Sequence, residues 1–313
     1  MQSEITIPGC EPGALINERY RVLSLLGQGG QAAVFKVLDL EDGNREVALK
    51  ILAAERIMWS KKILERFNNE HEVGVKLSHP NIAKVFESGQ MPDGSYFIVM
   101  DFVDGPSLAD KIKDSVAPLT LFEIANILCE TARALDYAHS QSVIHRDLKP
   151  GNILLTSTAG VKLVDFGLAR DMEFGHTITD TGQMSGTAYY MSPEQLTRHE
   201  KLDCRTDIYS LGITAFEMVT GRRPFEDEGF IELADAHLQR QIPNVISPNF
   251  KVPRWLETFI GICTEKKRAS RYQSMEEVVL VLDKQLRKLA SGEVDGTLGE
   301  SMIQKVVSGI FRR

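Results

Sequence analysis

The apolar residues of this chain change their period near residue 100, and that change limits the possible folds more than any other feature. Before it, short runs rich in Val, Ile, Leu, Phe and Tyr recur: YRVLSLLG at 20–27, AAVFKVLDL at 32–40, EVALKIL at 46–52, IAKVFESG at 82–89 and SYFIVMDFV at 95–103. Gly-rich or Asp-Gly turns separate them, as in MPDG at 91–94, so they read as an antiparallel meander. One amphipathic helix interrupts the strands, SKKILERFNNEHEVGVKLS at 60–78, with Ile63, Phe67, Glu70 and Gly74 on one side. After DGPSL the spacing is helical, over 120–140, 206–221, 228–239, 253–263 and 274–290. Strands first and helices afterwards predict an α+β chain of two segregated lobes.

The boundaries follow from the same pattern. Residues 1–17, with Pro8, Gly9, Pro12 and Gly13, read as an irregular lead-in. A strand-rich lobe spans 18–100, a hinge 101–105 within MDFVDGPS, and a helical lobe 106–290. Residues 291–313 begin as a Ser/Gly-rich linker and end in a short amphipathic helix carrying Met302, Val306 and Ile310. A length of 313 residues exceeds what one compact core needs and suits two lobes. Net charge is −7, which removes any general attraction to nucleic acid or anionic membrane. Apolar runs such as VVLVL at 278–282 fall far short of the roughly 20 residues of a bilayer span. The first residues lack the basic and apolar regions of a signal peptide, so the chain reads as cytoplasmic, alone or as the cytoplasmic part of a membrane-anchored protein. The 4 cysteines contain no CxxC and the 7 histidines no HExxH, which argues for free thiols and against a structural metal.

Three constellations carry chemistry. The first is LGQGGQAAVF followed by VALK. Gly27 and Gly29 free the backbone to fold over a polyanion. Val34 is placed to cover a nucleotide base, and Lys50 lies on a strand from which its ammonium reaches phosphates. The second is the helix at 60–78. A strand lysine needs a carboxylate partner, and Glu70 lies on the inward stripe; Glu72 is the rival, but points about 200° away around the helix. The third is VIHRDLKPGNIL at 143–154, taken with LVDFGLAR at 163–170. Charges between two apolar runs mark a loop anchored in a core, where chemistry tends to be placed. Phosphoryl transfer needs a group that accepts or orients a hydroxyl proton and oxygen ligands for Mg²⁺. Asp147 suits the first role, Asn152 and Asp165 the second. Lys149 is placed to neutralise charge on the transferring group.

In that order these motifs resemble the eukaryotic-type serine/threonine protein kinases over residues 18–290, closest in texture to the bacterial branch. SPE at 192–194, TDIYSLG with Asp207, and Arg271 in RASRY extend the likeness. The resemblance implies a two-lobed protein kinase fold with an ATP cleft between a β-rich small lobe and a helical large lobe. It implies ATP and Mg²⁺ as cofactors, with Mn²⁺ an alternative, and transfer of the γ-phosphoryl group to protein Ser/Thr hydroxyls. Lys50 then contacts the α- and β-phosphates and pairs with Glu70, Asp147 is the catalytic base, and Asn152 and Asp165 bind metal. Met100 is the gatekeeper, Asp101–Val103 offer backbone groups to adenine, and Ala48 and Leu154 line the base. Glu194 and Arg271 form a buried ion pair. Thr179 and Thr181 align with activating phosphosites, and the hydroxyl of Thr187 reaches toward Asp147 and Lys149. Protein substrates are the implied partners, with a homodimer through the small lobe as an option.

Three departures stand out. Ala32 replaces the third glycine of the loop, and Ser192 replaces an alanine. Gly74 falls where the family has a larger apolar residue stacking in the line through Phe166 and His145, which is expected to weaken that packing. A pseudokinase or nucleotide-binding scaffold is the alternative, although such proteins usually lose one of Lys50, Asp147 and Asp165. A small-molecule kinase of the same fold is disfavoured by the long segment from Asp165 to Glu194. The tail at 301–313 has three readings: packing on the large lobe, a partner, or a membrane surface.

Overall fold

The computed structural model describes residues 9–28, 32–54, 61–158, 160–166, 186–197, 201–227 and 229–292. Gly29, Thr179, Thr181 and the tail at 301–313 lie outside these residues.

The small lobe is one six-stranded antiparallel sheet. Its strands are β1 (Leu15–Ile16), β2 (Tyr20–Gln28), β3 (Ala33–Asp39), β4 (Arg45–Leu52), β5 (Val85–Gln90) and β6 (Tyr96–Asp101), in the spatial order β1-β2-β3-β4-β6-β5. Period-2 alternation divides β4 between two apolar clusters. Val47, Leu49 and Ile51 join Val22, Phe35, Val37, Phe97 and Val99 on one face. Ala48 and Leu52 join Val85, Ile98 and Met100 on the other, where helix α1 (Lys61–Lys76) inserts Phe67. Lys50 lies between Ala48 and Leu52 in that register, so its side chain leaves the sheet toward α1.

Within the expected lead-in, residues 9–14 are turns and bends, and Leu15–Ile16 form a strand. Leu15 and Ile16 pair with Arg21 and Tyr20, and Gly13 donates its amide to the Val22 carbonyl at 2.8 Å. Cys10 and Ile16 are buried in the same cluster as Tyr20. A two-residue strand is too short to leave a period in the sequence.

The large lobe surrounds α3 (Leu121–Ser140), with a Thr120–Glu123 capping box at its start, and α5 (Arg205–Thr220), buried on nearly every side. Further helices among the described residues are α2 (Leu108–Lys113), α4 (Pro193–Thr197), α6 (Phe230–Gln239), α7 (Arg254–Cys263) and α8 (Met275–Ser291), the last packed along α3. The hairpin β7 (Ile153–Leu155) with β8 (Val161–Leu163) completes the lobe beneath the sheet. The chain crosses between lobes after Asp101. Gly105 ends this crossing against β7: a Cβ there would lie 1.8 Å from the Leu155 carbonyl oxygen, so no other residue fits without moving the hairpin.

Candidate active site

The predicted strand lysine meets the predicted helix carboxylate. Lys50 donates to both Glu70 oxygens at 2.7 and 2.9 Å, and to Asp165 Oδ1 at 2.8 Å. Glu70 is buried while Glu72 faces solvent, which decides between the two rivals. One ammonium is thus shared by two carboxylates. Burial alone would lower the Lys50 pKa, but Asp165 and Glu70 outweigh it and the ammonium is held upward. Burial would also raise Asp165, but Lys50 keeps its carboxyl low. At Glu70 burial prevails, and the carboxyl is pushed up despite Lys50.

The loop at 145–152 forms the other half of the site. Lys149 donates to the Asp147 carboxylate at 2.8 and 3.1 Å and to the Thr187 hydroxyl at 2.7 Å. Asn152 donates its amide to the Asp147 carbonyl at 2.8 Å and to Asp147 Oδ2 at 3.0 Å. These bonds fix the carboxylate and leave the Asn152 side-chain oxygen as an acceptor.

What holds this loop is Asp207, for which sequence reasoning offered only a motif match. From the start of α5, Asp207 accepts the backbone N–H groups of His145 and Arg146 at 2.9 and 2.8 Å, with His139 Nε2 at 2.8 Å. Burial opposes its charge, yet the His139 contact and these donors keep its carboxyl low. The clamp holds a strained backbone at Arg146, φ +65°, and Asp165 has the same left-handed conformation at φ +62°. The loop lies about 60 positions from its clamp, a separation at which no spacing rule operates.

His145 packs on Phe166 with ring centroids 4.5 Å apart. Gly74, expected to weaken the packing beyond Phe166, is closely approached from β5. A Cβ at Gly74 would lie 2.3 Å from Val85 Cγ2, so a β5 side chain already fills that space. Glu194 and Arg271 form the expected buried pair, with two bonds of 2.8 and 2.9 Å.

Toward the hinge, Val34, Ala48 and Met100 share one apolar cluster, and Ala48 pairs with Met100 in the sheet. Leu154 belongs to β7 of the opposite lobe, bridged to Ser107. The Asp101 amide is already bonded to the Lys84 carbonyl at 2.9 Å. A Cβ at Gly27, on the strand paired with Val34, would meet no protein atom within 4 Å. No neighbouring protein atom therefore requires glycine there.

Residues 20–287 match the protein kinase domain family. Among curated proteins, the chain is 38% identical over 267 residues to the probable serine/threonine-protein kinase PknB of Lactococcus lactis, covering 85% of this chain and 42% of that protein. It is 36% identical over 266 residues to the serine/threonine-protein kinase PrkC of Bacillus subtilis, covering 85% and 40%. It is also 36% identical over 266 residues to the serine/threonine-protein kinase PknA of Mycobacterium tuberculosis, covering 84% and 60%. The chain thus spans about two fifths of the first two. Among solved structures, the kinase domain of Mycobacterium tuberculosis PknI aligns with a TM-score of 0.64 at 27% identity, covering 88% of this chain and 98% of that one.

Proposed function

The chain belongs to the protein kinase family, and on that premise we propose that it transfers the γ-phosphoryl group of ATP to serine and threonine hydroxyls of proteins. The arrangement around Lys50 and Asp147 carries the reading: two carboxylates around one ammonium on one side, and a carboxylate fixed by Lys149 and Asn152 on the other.

In this reading Asp147 orients the acceptor hydroxyl and takes its proton, while Lys149 offsets charge on the transferring group. The Lys149–Thr187 bond sets the activation segment beside that carboxylate. Lys50, directed by Glu70, is the contact for the α- and β-phosphates. Asn152 and Asp165 are the residues that would hold Mg²⁺, which supplies charge neutralisation between the phosphates when bound. The donor set fits that ion. Burial pushes Glu70 toward its neutral form, which leaves Asp165, kept low by Lys50, as the charged carboxylate that faces the ion. Two oxygen donors also suit a cation that keeps waters and phosphate oxygens as its other ligands. The cluster of Val34, Ala48 and Met100 fits an adenine face, with Leu154 opposite, and Gly27 gives phosphates close access to the backbone. Because the Asp101 amide is engaged, the adenine contact falls to the Asp101 carbonyl and the backbone of Val103.

The pseudokinase alternative has no support from the relatives, which carry serine/threonine kinase names. Among the described residues no helix is long and apolar enough to cross a membrane. The same activity is proposed to modify Thr179 and Thr181. Purified chain, labelled ATP–Mg²⁺ and a mixed protein substrate test the proposal. Label on serine and threonine, absent with Asp147→Asn, supports it; unlabelled protein at saturating nucleotide refutes it. Mass spectrometry of the same samples reports on the two threonines.

A further inference from the structure

The hinge carboxylate has a second use, on the side of the backbone away from any nucleotide. Asp101 Oδ1 accepts from Arg45 of β4 at 3.2 Å. Its Oδ2 accepts from the Lys84 amide at 3.1 Å and from Lys162 Nζ of β8 at 3.0 Å. The Lys162 ammonium also reaches the Ile82 carbonyl at 3.3 Å. One carboxylate therefore holds a cation from each lobe at the point where the chain crosses between them.

What Lys162 is attached to gives this bridge a consequence. It lies three residues before Asp165, on a strand with little freedom. Leu163 donates to the Asn81 carbonyl at 2.8 Å and accepts from Ala83 at 2.9 Å, and Val161 accepts from the Asn81 side chain at 3.0 Å. Beyond β8, Val164 donates to the Asn152 carbonyl at 3.1 Å. The segment that leads from β8 to Asp165 is thus hydrogen-bonded along its length, and Lys162 is its side-chain link to the hinge. Asp101 and Lys162 are partly exposed, at 19% and 24%, so the bridge contributes little to global stability. Its effect is on alignment.

We infer that Lys162 is a positioning residue: through Asp101 it sets the spacing between the hinge and the segment carrying Asp165, and so governs nucleotide use. The bridge coexists with the assembled Lys50–Glu70–Asp165 cluster. The inference rests on the phosphotransfer reading for its kinetic arm only.

The test uses the full chain with Lys162→Met, Lys162→Arg and Asp101→Asn. Steady-state kinetics, affinity for a fluorescent ADP, and hydrogen exchange of the nucleotide-free protein at 101–104 and 161–165 are compared. Lys162→Met should raise the KM for ATP and weaken ADP binding by about 3- to 10-fold, the range expected for a coupled contact. The KM for protein substrate should stay unchanged, and exchange at both segments should accelerate. Lys162→Arg keeps the charge but not the point geometry of the ammonium, so its values should fall between those of the wild type and Lys162→Met. Asp101→Asn, which also loosens Arg45 and the Lys84 amide, should be at least as severe as Lys162→Met, and the double mutant should be no worse than Asp101→Asn alone. Unchanged nucleotide affinity and exchange in Lys162→Met overturn the inference. So does higher activity, which would make the bridge a restraint. A wild type that transfers no phosphate refutes the kinase reading instead, while ADP affinity and exchange still report on the bridge.

Discussion

Asp147 and Asp165 are both carboxylates in one cleft, yet their surroundings assign them different work. Asp147 is held by two side-chain donors, Lys149 and Asn152, and has Thr187 beside it through Lys149. Asp165 faces the Lys50 ammonium from a left-handed backbone position. Replacing either by asparagine keeps the shape and removes the charge. Asp147→Asn should lower turnover by at least about 100-fold, the contribution of a positioned general base. Asp165→Asn should lower turnover comparably and also weaken Mg²⁺-dependent nucleotide binding, which Asp147→Asn should leave intact. Asp147→Asn turns one acceptor oxygen into a donor facing other donors, a cost of about 1 kcal/mol. For a domain of this size that shifts the thermal midpoint by about 2–4 °C. Full turnover in either mutant, measured on protein that melts normally, removes the role given to that residue. Lys50→Met is a different case, because it leaves the buried Glu70 and the half-buried Asp165 without their cation. It should abolish turnover and cost about 1–3 kcal/mol of stability, readable by urea titration.

At the scale of elements, the contact between α1 and β5 decides a question that the sequence leaves open. Gly74 alone reads as a gap beside Phe166. The structure places Val85 against it, so the glycine permits close approach and leaves no hole. Gly74→Leu should therefore overpack a rigid strand residue, costing about 1–3 kcal/mol, displacing α1 and with it Glu70. Trimming the partner removes the 2.3 Å contact but keeps the Val85 Cβ at 2.9 Å, so Gly74→Leu combined with Val85→Ala should recover part of the lost stability and activity. Higher basal activity in Gly74→Leu alone, with no loss of thermal stability, would show that a gap existed after all. The same pair explains which parts of the site were legible. Lys50 and Glu70 are readable because each lies on a long element whose period fixes its face. Asp147, Asn152 and Asp165 are readable because polar loops between apolar runs have few uses. Asp207 clamping Arg146 and Lys162 reaching Asp101 each depend on contacts across about 60 residues, and Val85 filling Gly74 depends on a contact between two separate elements. The short pieces β1, β7, β8 and α2 escaped because two to six residues show no period.

Across the large lobe as a whole, acid stability should depend on a histidine that takes no part in the site. His237 of α6 is fully buried, with Nδ1 2.9 Å from the Tyr209 hydroxyl of α5 and its ring 5.1 Å from that of Phe225. Burial, then the Lys266 ammonium, pull its pKa from 6.5 to about 3. The folded chain thus refuses a proton that the unfolded chain accepts between those values. Its contribution to stability is complete above about pH 6.5 and declines on acidification, at up to about 1.4 kcal/mol per pH unit. Glu130 and Glu217 act with the opposite sign, because burial pushes their carboxyls up. Folding is favoured by their protonation, so their contribution is lost as pH rises. The wild-type curve alone therefore mixes both effects, and the comparison that isolates His237 is with His237→Asn. Asparagine cannot titrate, and its oxygen can still accept from Tyr209, although it leaves the contact with Phe225 unfilled. That defect makes the mutant less stable at pH 7 by an amount independent of pH. Urea unfolding of both proteins between pH 7 and 5 should show the wild-type advantage shrinking by about 2 kcal/mol as His237 begins to favour the unfolded chain. A constant difference across that range would mean that the folded lobe admits the proton, and that α6 does not seal its histidine against α5.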